Sequence, residues 1–179
     1  MTGTRTGRAF LGILCAAVVS VVLFDAATVR AKPHDETPEE ANAFLDRFVG
    51  QWIGEGTANG TTIQSDLVCD RVLGVTFLRM QDRETTPGNF QADTYVGYRV
   101  EERRYELYTF NNNTAFGSSL PVRLMTGHRE GESLTMEEKG GHGGLRYTFE
   151  FLDADTFRLT KSFVHGHEPP FVTEIYRRQ

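Results

Sequence analysis

Most of the chain that follows Gly50 alternates between apolar and polar residues with a period of two. Residues 145–151 show the pattern most clearly, because apolar side chains at every second position alternate with Arg146, Thr148 and Glu150. Successive side chains of a β-strand point to opposite faces, so this alternation is typical of strands with one buried face. It predicts strands near residues 51–58, 62–72, 75–84, 92–100, 104–110, 121–129, 132–139, 144–152, 156–164 and 171–178.

A helical pattern precedes the strands. In Thr37-Pro38-Glu39-Glu40 the threonine can cap a helix, the proline suits its first position and the second glutamate completes a capping box. Apolar residues then recur at helical spacing, and Gly50 is expected to end the helix. These apolar residues are Phe44, Leu45, Phe48 and Val49. The helix is short, so we expect its apolar stripe to lean on another element.

Turn signals separate the predicted strands at intervals of roughly 8–12 residues, which is typical of hairpin connections. Asn59-Gly60 and Pro87-Gly88-Asn89 are two of these signals. A series of hairpin-linked strands leaves two exposed edges, and closure into a barrel removes them. We therefore predict an all-β fold, an antiparallel meander closed into a barrel of roughly ten strands after one short N-terminal helix. An open sandwich is the alternative.

The first 31 residues have the features of a secretory signal peptide. Arg5 and Arg8 precede an uncharged apolar stretch over residues 9–24, and Val29-Arg30-Ala31 offers a cleavage site after Ala31. The apolar stretch of about 16 residues is shorter than the roughly 20 that a spanning helix needs, although retention as an N-terminal anchor is the alternative. We predict an exported protein, periplasmic or secreted, with a flexible leader at residues 32–36 and one barrel domain at residues 37–179.

Composition narrows the possible partners. Removal of three arginines and one aspartate with the first 31 residues shifts the formal net charge from −5 to −7. An acidic chain without a basic cluster is not expected to bind nucleic acid or to insert stably into a membrane after cleavage. Cys69 is the one cysteine after residue 31, so no internal disulfide is expected and the thiol is expected to be buried.

The segment Gly50-Gln51-Trp52-Ile53-Gly54-Glu55-Gly56, placed after a short helix, resembles the calycin barrels, which include lipocalins, fatty-acid-binding proteins and nitrobindins. The resemblance is closest to lipocalin-like exported bacterial proteins of unknown function, whose strands carry segments similar to Tyr95-Val96-Gly97-Tyr98 and Arg104-Tyr105-Glu106-Leu107-Tyr108. It implies a lipocalin-like barrel in which Trp52 packs on an arginine of the last strand, Arg177 or Arg178, at the barrel base. Direct contact of Trp52 with a ligand is the alternative.

Such a barrel suggests a small-molecule-binding function, with an apolar or amphipathic ligand and a monomeric or homodimeric protein. Large or polar side chains that could line the lumen are Arg79, Tyr95, Arg99, Tyr105, Tyr108, Arg123, Met125, Tyr147, Phe149 and Phe163. An inward arginine beside a tyrosine would suit an anionic head group, and a continuous apolar lining would suit a lipid or terpenoid tail. Alternatively, these side chains fill the interior and leave no cavity.

Two other classes of function stay open. An isomerase or cyclase acting in the lumen would need a buried titratable residue beside a donor, for which Glu150, His128 and Asp66 are candidates. No established nucleophile, zinc-protease or phosphate-loop motif is present, and no cofactor is predicted. A haem or transition-metal site could use His165 and His167, because residues two apart in a strand face the same side. A partner-binding role would instead need an exposed apolar patch.

Overall fold

The computed structural model describes residues 36–74, 76–88, 90–112, 122–139, 144–166 and 168–179, so the predicted signal peptide lies outside the described residues. Within them the chain forms one helix, α1 (Pro38–Asp46), and ten strands. The strands are β1 (Gly50–Ala58), β2 (Thr61–Val72), β3 (Phe77–Thr86), β4 (Gln91–Arg99), β5 (Arg104–Asn111), β6 (Val122–Glu130), β7 (Ser133–Glu138), β8 (Leu145–Phe151), β9 (Thr156–Phe163) and β10 (Val172–Arg178). Their ends lie within two residues of the predicted ends.

The sheet closes on itself. Each strand pairs antiparallel with the next one along the chain, and β10 returns to pair with β1. The closing ladder extends from Trp52 opposite Arg178 to Ala58 opposite Val172. Every strand therefore has a neighbour on both sides. The predicted all-β fold, an antiparallel barrel preceded by one short helix, is confirmed.

α1 begins as the sequence predicts and ends earlier. Thr37 accepts a hydrogen bond from the Glu40 backbone over 3.2 Å, and the Glu40 carboxylate accepts one from the Thr37 backbone over 2.8 Å. The predicted end at Gly50 is wrong, because α1 ends at Asp46. A tighter turn follows, in which the backbone N–H groups of Phe48 and Val49 donate to the carbonyls three residues earlier. In the described part of the chain, no helix has the length and apolar character needed to cross a membrane.

The two ends of the barrel differ. The lower end is the one where β1 starts and where α1 packs, and the upper end is the one where β1 finishes. α1 buries Ala41, Phe44 and Leu45. The Phe44 ring lies 5.7 Å from the Phe151 ring and 6.4 Å from the Tyr105 ring, measured between centroids. The helix thus covers the lower end with aromatic contacts, in agreement with an apolar stripe that needs a partner.

Candidate functional site

Trp52 lies at the lower end of the barrel and is 1 % exposed. Its indole Nε1 donates a hydrogen bond to the Phe48 carbonyl over 2.7 Å. The Arg178 guanidinium lies 4.2 Å from the centre of the Trp52 ring. Arg178 also donates to the carbonyls of Val49, over 2.6 Å, and Arg47, over 2.7 Å. The arginine therefore joins the last strand, the indole and the turn after α1 in one cluster.

Arg178, rather than Arg177, is the arginine that stacks on Trp52. Arg178 is the residue opposite Trp52 in the β1–β10 ladder, and Arg177 belongs to the other face of the strand. Arg177 points outward, is 61 % exposed, and has Glu55 at 3.6 Å. The register of the closing ladder thus selects one of the two arginines that the resemblance left open.

The upper half of the barrel is not filled. A cavity of about 120 Å³ reaches the upper rim, where Asn59 and Phe171 line it. A second cavity of about 40 Å³ lies beneath it and has an apolar wall that includes Leu67 and Phe149. The two cavities are adjacent, because they share the lining residues Asp82, Phe90, Tyr147 and Lys161.

The inward-facing positions of single strands change from apolar to charged along the barrel axis. On β3, Met80 is buried below and Asp82 lines the cavities above. On β9, Leu159 is buried below and Lys161 lines both cavities. The cavity is therefore amphipathic, with an apolar floor and ionisable side chains on its walls.

Asp82 lines both cavities, and its carboxyl oxygen Oδ1 is buried without a hydrogen-bond partner in the described residues. Burial is the main reason that the pKa of this carboxyl is raised to about 7. Lys161 lowers the pKa, and Glu174 and Glu84 raise it. The Asp82 carboxyl is therefore partly protonated near neutral pH, which is unusual for an aspartate.

Glu174 and Tyr176 lie on the inward face of β10, and both are close to Asp82 of β3. Glu174 is 2 % exposed and accepts a hydrogen bond from the Ser65 hydroxyl over 2.9 Å. Tyr176 is fully buried, and its hydroxyl oxygen makes no hydrogen bond within the described chain. Burial raises the pKa of Tyr176 well above its usual value, so the phenol keeps its proton and stays a donor. Gly54 makes room for the ring, since a Cβ there would lie 2.6 Å from Tyr176.

Lys161 presents its ammonium to two aromatic rings. Nζ lies 4.9 Å from the centre of the Phe90 ring and 5.4 Å from that of Tyr147. Burial alone would lower the pKa of Lys161, but Tyr147 and the carboxyl groups of Asp82, Glu174 and Glu84 outweigh it and the pKa is raised. The side chain is therefore a cation at neutral pH, not a neutral amine.

Arg123 is the second cation on the cavity wall, and it is already paired. Its Nη1 donates to both carboxylate oxygens of Glu138, over 3.0 and 2.9 Å. The residue is 8 % exposed, so this pair is shielded from water. Arg123 and Glu138 together contribute almost no net charge to the cavity.

The strand register divides the predicted lumen residues into two groups. Six face inward: Tyr105, Arg123, Met125, Tyr147, Phe149 and Phe163. Tyr147, Phe149 and Arg123 line the cavities. Tyr105 and Met125 are fully buried in the packed part of the barrel, and Phe163 lies at the rim with its ring 5.2 Å from Phe171.

The other four predicted lumen residues, Arg79, Tyr95, Arg99 and Tyr108, lie on the outer face, which corrects their predicted position. Each is one residue out of step with the inward positions of its strand. Arg79 pairs with Asp70 over 2.8 and 2.9 Å. Arg99 and Tyr108 both donate to Glu106, over 3.0 and 2.9 Å.

Glu106 is a buried carboxylate outside the barrel. Burial would raise its pKa, but hydrogen bonds from Arg104, Arg99 and Tyr108 prevail and lower it to about 2. Together, Arg99, Arg104, Glu106 and Tyr108 form a compact polar cluster on the outer face of β4 and β5. Both arginines of the cluster pair with Glu106, while Arg104 Nε is buried without a hydrogen-bond partner in the described residues. The cluster lies on the face of the sheet opposite the lumen.

The residues proposed from sequence as lumen acids or bases also lie outside. His128 and Asp66 are exposed on the outer face, and Glu150 pairs with Arg158 there.

Cys69 is 2 % exposed, and burial raises the pKa of its thiol, so it is protonated at neutral pH.

Of the two late histidines, His165 belongs to the described residues and does not lie on a strand. His165 is exposed in the connection that follows β9, and His167 lies outside the described residues. Among the residues that the structure describes, no group of three or more His, Cys, Asp or Glu side chains is arranged to hold a metal ion. The strand geometry assumed for a metal pair at these positions is therefore not present at His165.

Five lumen residues were not predicted from the sequence: Asp82, Glu84, Lys161, Glu174 and Tyr176. Lys161 carried a signal, because it interrupts the apolar series of Phe157, Leu159 and Phe163. β10 carried none, since both of its faces contain apolar residues. The pairing of Trp52 with Arg178 and of Gly54 with Tyr176 identifies the inward face of that strand.

Neither the protein-family models nor the curated proteins compared with this sequence match it. The fold and the cavity define a closed antiparallel β-barrel with an amphipathic interior at one end. A closed barrel of this kind is, in general, a fold that suits the binding of a ligand.

Proposed function

We propose that this protein binds a small amphipathic molecule in the upper half of the barrel. The observation that carries the proposal is the cavity of about 120 Å³, which combines aromatic walls with ionisable side chains. An apolar cavity of about 150 Å³ in another protein holds benzene, so the volume here suits a ligand about the size of one ring. This size favours a compact molecule over the long lipid or terpenoid tail considered from sequence. The proposal includes no cofactor.

A cavity-filling variant tests the proposal. Ala58 lines the cavity at the end of β1, and its neighbour Thr57 is exposed on the outer face. We expect benzyl alcohol to bind the purified protein, and we expect Ala58→Phe to weaken that binding at least about tenfold because the new ring occupies the cavity. Ligand-observed NMR and titration calorimetry measure both affinities.

Thr57→Phe is the matched control, since it adds the same ring to the outside of the same strand. Its affinity for benzyl alcohol should equal that of the unmodified protein. Equal binding of benzyl alcohol by the two variants would contradict the proposal, and so would failure of the unmodified protein to bind any one-ring amphipathic probe.

We further propose that the protein is exported and acts as a monomer or homodimer without nucleic-acid partners. The support is the signal-peptide pattern over residues 1–31 and the acidic charge of the remaining chain. Expression of the whole chain in a bacterial host, followed by fractionation and intact-mass measurement, should give a periplasmic or secreted product that starts at Lys32. A product that keeps Met1 in the membrane fraction would contradict it. Native mass spectrometry gives the number of subunits.

We also propose that the protein is a lipocalin-like barrel of the calycin type, and one contact supports this. Trp52 of the first strand is stacked by Arg178 of the last strand at the lower end. That is the contact which the resemblance implied for a lipocalin-like barrel base. The haem or metal alternative at His165 and His167 has its own test, an absorbance spectrum and an elemental analysis of the purified protein.

A second candidate function is proton transfer in the lumen, and Asp82 favours it. A buried carboxyl with a pKa of about 7 suits a general base at neutral pH, and the Tyr176 hydroxyl and Lys161 ammonium are donors nearby. Benzisoxazole is a suitable probe, because removal of its ring C–H proton by a carboxylate breaks the N–O bond and releases a cyanophenolate. We expect Asp82→Asn to abolish this reaction and Asp66→Asn to leave it unchanged. Equal rates in both variants would exclude Asp82 as the base.

A further inference from the structure

The charges that face the larger cavity do not balance. Asp82, Glu84 and Glu174 line it, and Lys161 is the cation that faces them once Arg123 is matched with its own partner. This count refers to the part of the chain that the structure describes. Carboxyl groups therefore outnumber free cations on the wall, and the cavity attracts positive charge more strongly than negative charge.

The hydrogen-bonding groups of the wall are also unbalanced. The Asp82 Oδ1 atom is buried and unpartnered. Glu84 makes no side-chain hydrogen bond to the described residues, and Glu174 uses one carboxylate oxygen for Ser65. Acceptors that face a cavity in this state are best satisfied by a ligand that brings several donors, and a primary ammonium brings three.

The aromatic side chains of the cavity already hold one ammonium group. The Lys161 Nζ atom lies within 5.4 Å of the centres of the Phe90 and Tyr147 rings. Among the described residues, no carboxylate oxygen approaches Nζ within the 4.0 Å of a salt bridge. Lys161 thus leaves the nearby carboxyl groups free of direct ion pairs, while the rings show that the wall accommodates a cation.

We propose that the upper cavity binds a small organic cation, a primary amine that carries one ring-sized apolar group. Its ammonium would face Asp82, Glu84 and Glu174, and its apolar group would pack on Leu145 and Val172, which line the same cavity. The inference deepens the proposed function and rests on it, since it names the chemical class of the ligand for that cavity. It differs from the anionic head group considered from sequence, because the arginine available for an anion is paired with Glu138.

Three one-ring probes of similar size test the charge of the ligand: benzylamine, benzyl alcohol and benzoate. We expect benzylamine to bind at least about tenfold more tightly than benzyl alcohol, and benzoate to bind most weakly. Titration calorimetry at neutral pH, where the amine is protonated, gives the three affinities for the whole purified protein.

Two variants should shift the amine affinity in opposite directions. Glu84→Gln removes one carboxylate from the cavity wall and keeps the shape of the side chain. Benzylamine should bind this variant about three- to tenfold more weakly, with benzyl alcohol unchanged. Lys161→Met removes the resident cation, so benzylamine should bind more tightly. Asp66→Asn is the charge-matched control on the outer face and should change neither affinity.

The outcomes separate the inference from the proposed function. If benzyl alcohol binds as tightly as benzylamine, or benzoate binds most tightly, the cationic ligand class is overturned, while the cavity remains a binding site. Loss of benzylamine affinity in Asp66→Asn equal to that in Glu84→Gln would overturn the role of the cavity carboxylates. Failure of all three probes to bind would contradict the proposed function itself.

Discussion

The lower and upper halves of the same barrel use their inward-facing positions in opposite ways. The lower half packs apolar and aromatic residues against α1 and around Trp52. The upper half places Asp82, Glu174 and Lys161 around a cavity. Both halves are built from the same strands, so the difference arises from the side chains alone. One end of the barrel provides stability, and the other end carries groups suited to recognition.

The contrast has a physical basis. A buried carboxyl group without a partner lowers the stability of the folded state, whereas the burial of large apolar side chains raises it. The buried Phe157 and Tyr176 rings line the smaller cavity, and Trp52 packs below them with its ring 4.9 Å from Phe157. We expect substitutions in the lower half to change mainly the free energy of unfolding, and those in the upper half to change mainly pH dependence and binding.

Trp52→Ala should have the largest effect on stability. The indole is buried, donates to the Phe48 carbonyl and carries the Arg178 guanidinium, and its removal leaves a large cavity at the lower end. We expect the free energy of unfolding to fall by about 3–5 kcal/mol, measured by urea denaturation. Ile53→Ala, on the exposed face of the same strand, should cost under about 1 kcal/mol. Equal losses in the two variants would contradict the tight packing of Trp52 at the lower end of the barrel.

Asp82→Asn should change how stability depends on pH. The carboxyl has a pKa of about 7 in the folded protein against a usual value of 3.8, with Lys161, Glu84, Glu174 and Tyr176 facing it. The folded state therefore binds more protons than the unfolded state between these values. The folded protein should lose stability as pH rises from about 4 to 7, by up to about 4 kcal/mol, and change no further above that range.

Asp82→Asn should lack that loss, so its advantage over the unmodified protein grows up to about pH 7 and then stays constant. Urea unfolding at several pH values between about 4 and 8 measures the difference. Asp66→Asn, on the exposed face, should keep the original slope. An unchanged slope in Asp82→Asn would contradict the raised pKa. Glu106 supplies an internal reference by carboxyl NMR, because its pKa is lowered to about 2.

Arg178→Met should have an intermediate effect. It removes the stack on Trp52 and the hydrogen bonds to the carbonyls of Arg47 and Val49. We expect the free energy of unfolding to fall by about 1.5–3 kcal/mol, measured in urea. Arg177→Met removes the same charge from the exposed face and should cost about 0.5 kcal/mol or less. If Arg177→Met cost as much, the stacking contact would not explain the difference.

Ser65→Ala should have the smallest effect of the four, and it concerns the upper half. The hydroxyl donates to the buried Glu174 carboxylate over 2.9 Å, so its loss leaves an acceptor without a partner. We expect a loss of about 1–2 kcal/mol at neutral pH. Gln64→Ala, exposed on the same strand, should be close to neutral. A neutral Ser65→Ala would show that water replaces the hydroxyl.

The strands were predictable because each carries its own alternation and its own turn signals. The series at residues 145–151 needs no tertiary information to be identified as a strand. The capping box at Thr37 and Glu40 likewise fixes the start of α1 locally. The end of α1 was less predictable. Phe48 lies in the tight turn after the helix and is buried there, so its spacing in the sequence resembles that of a further helical turn.

The lumen residues were only partly predictable, because a strand has two faces and the sequence of one strand does not say which faces inward. Arg79 and Tyr95 are opposite each other on the outer face of β3 and β4. A shift of one residue would have placed both in the lumen. Tyr95, predicted for the lumen, thus lies outside, and Asp82, for which the sequence predicted no role, lines the cavities.

The sequence by itself determined the elements of this protein: a capped helix, a succession of alternating strands, and a lone Trp52 set among glycines. These features depend on short-range preferences of the backbone and side chains, which act within a few residues. The tertiary structure alone decided that Arg178 stacks on Trp52 and that Asp82, Glu174 and Lys161 meet around one cavity. The reason is that closure of β10 on β1 fixes the register of residues more than 100 positions apart, and the register fixes which side chains share the interior.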